Sequence, residues 1–235
     1  MVEIKRFGEE ALIVTFEEEI SISIHLKVKK LYQILQKESS KGIVSLSPAY
    51  QSVTVVFNPL VTDFDQLKST IKVILENLSF DKPSEKKVVS IPVCYDLSMD
   101  MEEVNNITGL SKEEIIHLHT STDYLVYFSG FAPGFLYLGG LNEKLRVPRK
   151  KTPRIKVLAG AVGLADLQTG IYPLDTPGGW QIIGQTPVKM INLLFKRPVE
   201  LGTFIRFYSI SKQEFKLLNE KKEFLPSINT EPWLA

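Results

Sequence analysis

The chain carries a single cysteine, Cys94, in 235 residues. One thiol forms no disulfide within the chain and builds no cysteine-rich zinc site. Cys94 ends the apolar run Val88-Val-Ser-Ile-Pro-Val-Cys-Tyr, where no neighbour in sequence lowers a thiol pKa, so a buried structural thiol is expected. Long hydrophobic runs are also missing. The first apolar stretch, Ala11 to Phe16, is too short for a membrane span, and charged Glu3, Lys5 and Arg6 stand where a secretory leader needs an apolar core. A cytoplasmic protein with no membrane partner is therefore expected. Nor is there an excess of charge. With 28 Lys+Arg against 27 Asp+Glu, the chain as a whole makes no claim on nucleic acid.

Several catalytic signatures are absent. There is no Gly-x-x-x-x-Gly-Lys-Ser/Thr phosphate loop, no Gly-x-Gly-x-x-Gly after a strand, no Gly-x-Ser-x-Gly elbow and no His-Glu-x-x-His. A self-sufficient hydrolase with a familiar nucleotide cradle finds no support on that ground. His117 and His119 do not rescue a metal site. Two residues apart on a helix, they point about 200° from each other and cannot chelate one ion. One is expected to face solvent and the other inward. No metal is expected.

What is present divides at residue 82. Residues 1–82 read as a small α/β domain, with strands at Ala11–Phe16, Gly42–Leu46 and Ser52–Phe57. A helix carries Ile24, Val28, Leu31, Ile34 and Leu35 on one face, and a second, capped by Asp63, carries Leu67, Ile71, Leu75 and Leu78. That order predicts two helices on one face of an antiparallel sheet. The polar stretch Phe80–Lys87 reads as a linker. Residues 83–235 open with a strand at Val88–Val93 and two short helices, the second begun by a capping box of Ser111 and Glu114. From Tyr124 the text changes to short β-branched or aromatic runs between Gly and Pro, with strands expected at Tyr124–Phe128, Val157–Leu164, Gln181–Ile183, Val188–Leu194 and Phe204–Ile210. Ser211 and Glu214 launch a final helix. The class is α+β, a small sandwich followed by a β-barrel-like domain.

The chemistry concentrates between Gly130 and Gln181. Pro133-Gly134 predicts a type II turn, with Pro presetting φ and Gly accepting a positive φ, and gathers Phe131, Phe135 and Tyr137. Thr176-Pro-Gly-Gly-Trp-Gln is a second rigid aromatic loop. The residues allow two readings, a plug in the core or an apolar ligand pocket. Between the loops, Arg146-Val-Pro-Arg-Lys-Lys-Thr-Pro-Arg-Ile-Lys holds six basic residues and no acid, which suits a small anionic ligand. Arg149 and Arg154, each beside a proline, are the expected anion contacts, with Lys150 and Lys151 read as solvated. His119 is a candidate general base, and Gln168 and Gln181 are candidate orienting groups. Asp166 and Asp175 are further acid/base candidates, Asp175 more readily a turn residue.

Read in order, Tyr127-Phe-Ser-Gly-Phe-Ala-Pro-Gly-Phe-Leu-Tyr-Leu-Gly-Gly, Val147-Pro-Arg-Lys-Lys-Thr-Pro-Arg, Gly160-Ala-Val-Gly, Gln168-Thr-Gly-Ile-Tyr-Pro and Thr176-Pro-Gly-Gly-Trp-Gln-Ile-Ile-Gly-Gln-Thr-Pro resemble one family. It is that of the 5-oxoprolinase subunit PxpB, also called allophanate hydrolase subunit 1, which includes the sporulation kinase inhibitor KipI. The resemblance implies a cyclophilin-like C-terminal barrel and partnership with PxpC-like and PxpA-like subunits in ATP-dependent opening of 5-oxoproline to glutamate. It also implies two other branches, a carboxyltransferase part of a biotin-dependent urea or amide carboxylase and an inhibitor of histidine kinase autophosphorylation. For the leading branch, charge and turn placement make Tyr127, Phe135, Arg149, Arg154, Gln168, Tyr172, Trp180 and Gln181 the expected substrate contacts, with Arg149 or Arg154 taking the carboxylate, and His119 the expected catalytic group. ATP is used by the complex rather than necessarily held by this chain.

Overall fold

The structure is a computed structural model and describes residues 2–17, 20–37, 42–78, 83–221 and 224–233. The chain forms two compact units, Met1–Pro83 and Ser84–Ala235. In the first, β1 (Glu3–Arg6), β2 (Ala11–Thr15), β3 (Ile43–Pro48) and β4 (Ser52–Phe57) make an antiparallel sheet in the order β1-β2-β4-β3. Alternation decides which face is buried. Leu12 and Val14 of β2 and Val53, Val55 and Phe57 of β4 point to one side and are all at most 2% exposed. There they meet α1 (Ile22–Lys37) through Ile24, Val28, Leu31 and Leu35, and α2 (Phe64–Glu76) through Leu67 and Ile71. The Asp63 carboxylate accepts the Gln66 amide at 2.9 Å and caps α2 as expected. β1 is an exposed edge without an apolar alternation, which is why the sequence does not announce it.

Of the expected linker, residues 80–82 lie outside the described residues, and Glu85–Lys87 already belong to β5 (Glu85–Val93). A 3-10 turn at Tyr95–Leu97 and helices α3 (Met101–Thr108) and α4 (Lys112–Thr120) follow, α4 opening with the Ser111/Glu114 capping box. The remaining elements are β6 (Asp123–Ser129), β7 (Leu136–Gly139), β8 (Arg154–Val157), β9 (Ala161–Ala165), β10 (Gln168–Ile171), β11 (Thr176–Gly178), β12 (Gln181–Gln185), α5 (Met190–Lys196), β13 (Phe204–Ser209), α6 (Lys212–Glu220) and β14 (Ile228–Pro232). Eight strands form one sheet in the order β12-β9-β10-β7-β6-β13-β5-β14, antiparallel except for the β13–β5 pair. The sheet curls. Cys94, one residue past β5, exchanges two backbone hydrogen bonds with Gln185 of β12, at 2.8 and 3.0 Å. A second, two-stranded ribbon, β11-β8, stands apart from it.

Two expected strands are corrected. Val188–Leu194 is mostly helix α5. Met190 and Leu193 are both 2% exposed, and three-residue spacing puts them on one helical face, a pattern a short apolar run cannot distinguish from a strand. Val157–Leu164 is broken into β8 and β9 by a turn in which the Ala161 amide reaches the Leu158 carbonyl and Gly160 takes φ +85°. Short strands β7, β10, β11 and β14 were not legible at all.

Candidate ligand-binding pocket

The Pro133-Gly134 turn forms as the residue types require. The Phe135 amide donates to the Ala132 carbonyl at 2.9 Å and Gly134 sits at φ +86°. Phe131, two residues before the proline, does something the sequence does not signal. It adopts φ +67°, and the Ala132 amide donates to the Gly130 carbonyl at 2.8 Å, closing a three-residue turn of the rarer, strained hand. A bulky side chain held there costs roughly 1–3 kcal/mol. Phe131 is 65% exposed and lines a cavity of about 270 Å³.

That cavity is walled by Phe135, Tyr137, Tyr172 and Trp180, with Arg149 and Lys150 at its polar side. Phe135 is the hub of the aromatic wall. Its ring meets Trp180 at 5.5 Å and 83°, Tyr172 at 5.7 Å and 80°, Tyr137 at 5.0 Å and 63°, and Phe131 at 5.5 Å and 75°. These edge-to-face contacts fix each ring by its neighbours' quadrupoles. Trp180 lies over two glycines. A Cβ at Gly163 would stand 3.1 Å from the Trp180 Cβ, and one at Gly170 would stand 3.0 Å from the indole edge. Only bare backbone admits the indole at that depth. Burial holds the Tyr172 hydroxyl above its ordinary pKa despite the opposing effect of a hydrogen bond with the Trp180 backbone and of Arg149 and Arg154, so it remains neutral.

The cations next to this wall are not equivalent. Arg154 is turned away from the cavity, onto the carboxylate of Asp100, which also accepts the Ile182 amide at 2.6 Å. Lys150, expected to be solvated, is 21% exposed and donates to Asp100 at 3.2 Å and to Glu103. The hydrogen bond to Glu103, with that to Asp100, raises the Lys150 pKa, and the hydrogen bonds from Lys150 and Gln181 lower that of Glu103. The Gln181 amide is part of the same network, donating to Glu103 Oε1 at 3.0 Å. Of the three cations, Arg149 keeps its guanidinium exposed, 4.0 Å from the still more exposed Asp166. Asp100 and Glu103 were missed by sequence reasoning. They read as charges at the start of α3, and nothing in the text ties them to cations fifty residues later.

The other expected site residues fall elsewhere. Phe135, Arg149, Tyr172 and Trp180 line the cavity together, while Gln181 and Arg154 stand behind it. Tyr127 is 5% exposed and packs against Gly139, outside the lining. Gln168 lies at the start of β10 with its side-chain oxygen buried, also outside the lining. Asp175 bonds the Ala159 amide and Lys156, a turn role. His117 is exposed and His119 is fully enclosed. His119 accepts from the Tyr95 hydroxyl at Nδ1, 2.6 Å, and donates from Nε2 to Thr169 Oγ1 at 2.9 Å, because that hydroxyl is committed to the Gly163 carbonyl. Its ring stacks on Phe207 at 4.6 Å. Burial drives its pKa down to about 3, so it is a neutral strut of the core rather than a base facing ligand. Among the described residues no cluster of His, Cys, Asp and Glu could hold a metal ion, and no helix is long and apolar enough to cross a membrane.

The profile of the family described as carboxyltransferase domain, subdomains C and D, matches residues 2–201. Over 233 residues the sequence is 35% identical to the B subunit of 5-oxoprolinase from Bacillus subtilis, spanning 93% of this chain and 97% of that one. The chain belongs to this family. The corresponding 5-oxoprolinase B subunit of Escherichia coli O157:H7 is also 35% identical, over 85% of this chain and 92% of its own length. The family fold recurs in the crystal structure of TTHA0988, at 32% identity and a TM-score of 0.75. The match covers 90% of this chain but only 40% of that one. Urea amidolyase of K. lactis shares the fold, with a TM-score of 0.78 at 17% identity, and there the match is 16% of the longer chain.

Proposed function

We propose that the chain is the B-type subunit of an ATP-dependent 5-oxoprolinase, and that its aromatic pocket holds the lactam. The observation that carries this reading is the 35% identity, over nearly the whole length of both chains, to the B subunit of the Bacillus subtilis 5-oxoprolinase. The pocket supports it. At about 270 Å³ it lies just below the usual range of small-ligand sites, roughly 300–1,000 Å³, which suits a five-membered ring and not a nucleotide. Phe135, Tyr172 and Trp180 pack the ring, Arg149 pairs with the carboxylate, and the Tyr172 hydroxyl donates to a ligand oxygen. Arg154, the alternative carboxylate contact, is occupied by Asp100.

A lactam is stabilised by amide resonance, and ring opening needs that resonance broken. Phosphoryl transfer from ATP to the carbonyl oxygen does so. Water then adds to the carbon, the C–N bond breaks with the nitrogen taking up a proton, and a second water hydrolyses the resulting acyl phosphate to give glutamate and free phosphate. The described residues near the pocket offer no phosphate cradle, so ATP is assigned to companion PxpC-like and PxpA-like subunits in the cytoplasm. The curled sheet is read as a cyclophilin-like barrel. The recurrence of this fold as a minor part of longer chains supports a unit that works beside another.

Co-expression with the companion subunits should give 5-oxoproline-dependent ATP hydrolysis, and the chain alone should give none. Activity from the chain alone would refute the subunit reading. A second reading is favoured by the family description itself, a carboxyltransferase domain. It predicts carboxyl transfer from a biotin carrier to an amide, tested with the same complex, whereas loss of histidine kinase autophosphorylation on adding the chain would indicate the inhibitor branch.

A further inference from the structure

We infer that the pocket is a single-anion site: Asp100 and Glu103 neutralise Lys150 and Arg154, leaving Arg149 as the one guanidinium offered to a ligand. The inference rests on the pocket reading above and adds a charge rule to it. Three cations adjoin the aromatic wall, and two of them are bound from behind by acids of the α3 start. The Asp100 side chain is 3% exposed and holds Arg154, Lys150 and the Ile182 amide at once. A buried carboxylate with three donors is tightly held, because releasing any of them leaves charge uncompensated in a dry site. The arrangement therefore does not hand its cations to an incoming anion.

Arg149 differs in kind. Its nearest acid, Asp166, is 4.0 Å away, and the two side chains are 59% and 70% exposed. Such a pair is worth little, so a ligand carboxylate displaces Asp166 and takes the guanidinium in a two-pronged contact. A second anionic group on the ligand finds Lys150 already paired and Glu103 beside it, which repels it. The pocket thus selects planar, singly charged carboxylates over dianions, including phosphorylated or dicarboxylate analogues of the same ring. Asp100 and Glu103 act as positioning residues for this selectivity, not as groups touching the ligand.

The test uses one ring at three charges: pyrrole-2-carboxamide, pyrrole-2-carboxylate and pyrrole-2,5-dicarboxylate, titrated calorimetrically into the full chain, alone and mixed with its companion subunits, alongside 5-oxoproline. The monocarboxylate should bind at least tenfold more tightly than either the amide or the dicarboxylate. Glu103→Gln, at an exposed position, should raise the dicarboxylate-to-monocarboxylate affinity ratio at least tenfold, and Glu103→Asp should restore the original ratio. Equal binding of both acids by the unaltered chain, an unchanged ratio in a folded Glu103→Gln variant, or no binding of any pyrrole overturns the inference. Binding of the pyrrole acids in this order with none of 5-oxoproline would sink the proposed function and leave the charge rule standing.

Discussion

Lys150 and Asp100, fifty residues apart, meet at 3.2 Å beside the aromatic pocket, and the same carboxylate holds Arg154, so two cations of the basic loop are already paired. The sequence between Arg146 and Lys156 shows only cations, so any argument from that segment overestimates its appetite for anions.

The two arginines should separate cleanly. Arg149→Ala should lower affinity for a carboxylate ligand at least tenfold and leave thermal stability unchanged, since the guanidinium is exposed. Arg154→Ala should instead destabilise the second unit by about 2–3 kcal/mol, because Asp100 loses a buried partner. Calorimetric titration and thermal melts of both variants check this. The opposite pattern would reassign the carboxylate contact to Arg154.

Gly178 is needed for its missing side chain. A Cβ there would overlap the Tyr172 hydroxyl and lie 2.7 to 2.8 Å from two ring carbons. Gly178→Ala should therefore push the Tyr172 ring aside, at a cost of about 1–3 kcal/mol, and reduce ligand affinity along with stability. Fluorescence titration beside a melt tests it, and unchanged affinity would show that Tyr172 does not shape the pocket.

Phe131 should display a trade between stability and binding. Phe131→Gly relieves the positive φ, worth about 1 kcal/mol after allowing for the greater backbone entropy lost by glycine. The melting temperature should hold or rise by a few degrees while ligand affinity falls. A clear drop in melting temperature would show that the strained turn is held for the core and not for the cavity mouth.

His119 predicts an acid limit. Its pKa is about 3 in the fold and near 6.5 when unfolded, so between these values the unfolded chain binds more protons and folding weakens as pH falls. Stability contributed above pH 6.5 is lost on acidification, by about 2 kcal/mol at pH 5 for this one group. His25, buried and lowered to about 4, adds a second such loss in the first unit. Denaturant titrations at pH 7 and pH 5 should show this decline, with a shallower pH slope in His119→Gln for the second unit.

How much of this was legible depended on the range of the interactions. Helices α1, α2, α4 and α6 announced themselves because capping and three-to-four-residue spacing are local, as were the Pro133-Gly134 turn and the gathering of aromatics around Phe135. Short strands such as β10 and β11 owe their existence to partners far along the chain and carry no alternation of their own. The same limit hid the site's electrostatics. Arg154 and Lys150 look available until Asp100 and Glu103 are folded against them. His119 looks reactive until Tyr95, Thr169 and Phe207 enclose it.

The central claim is that this chain contributes a lactam-binding pocket anchored by Arg149 to a multi-subunit enzyme. The most direct measurement is the rate of 5-oxoproline-dependent ATP hydrolysis in the reconstituted complex, with the unaltered chain and with Arg149→Ala. The account predicts activity only when all subunits are present, and at least a tenfold loss of kcat/KM for 5-oxoproline in the variant. Full activity with Arg149→Ala, or activity from this chain alone, would contradict it.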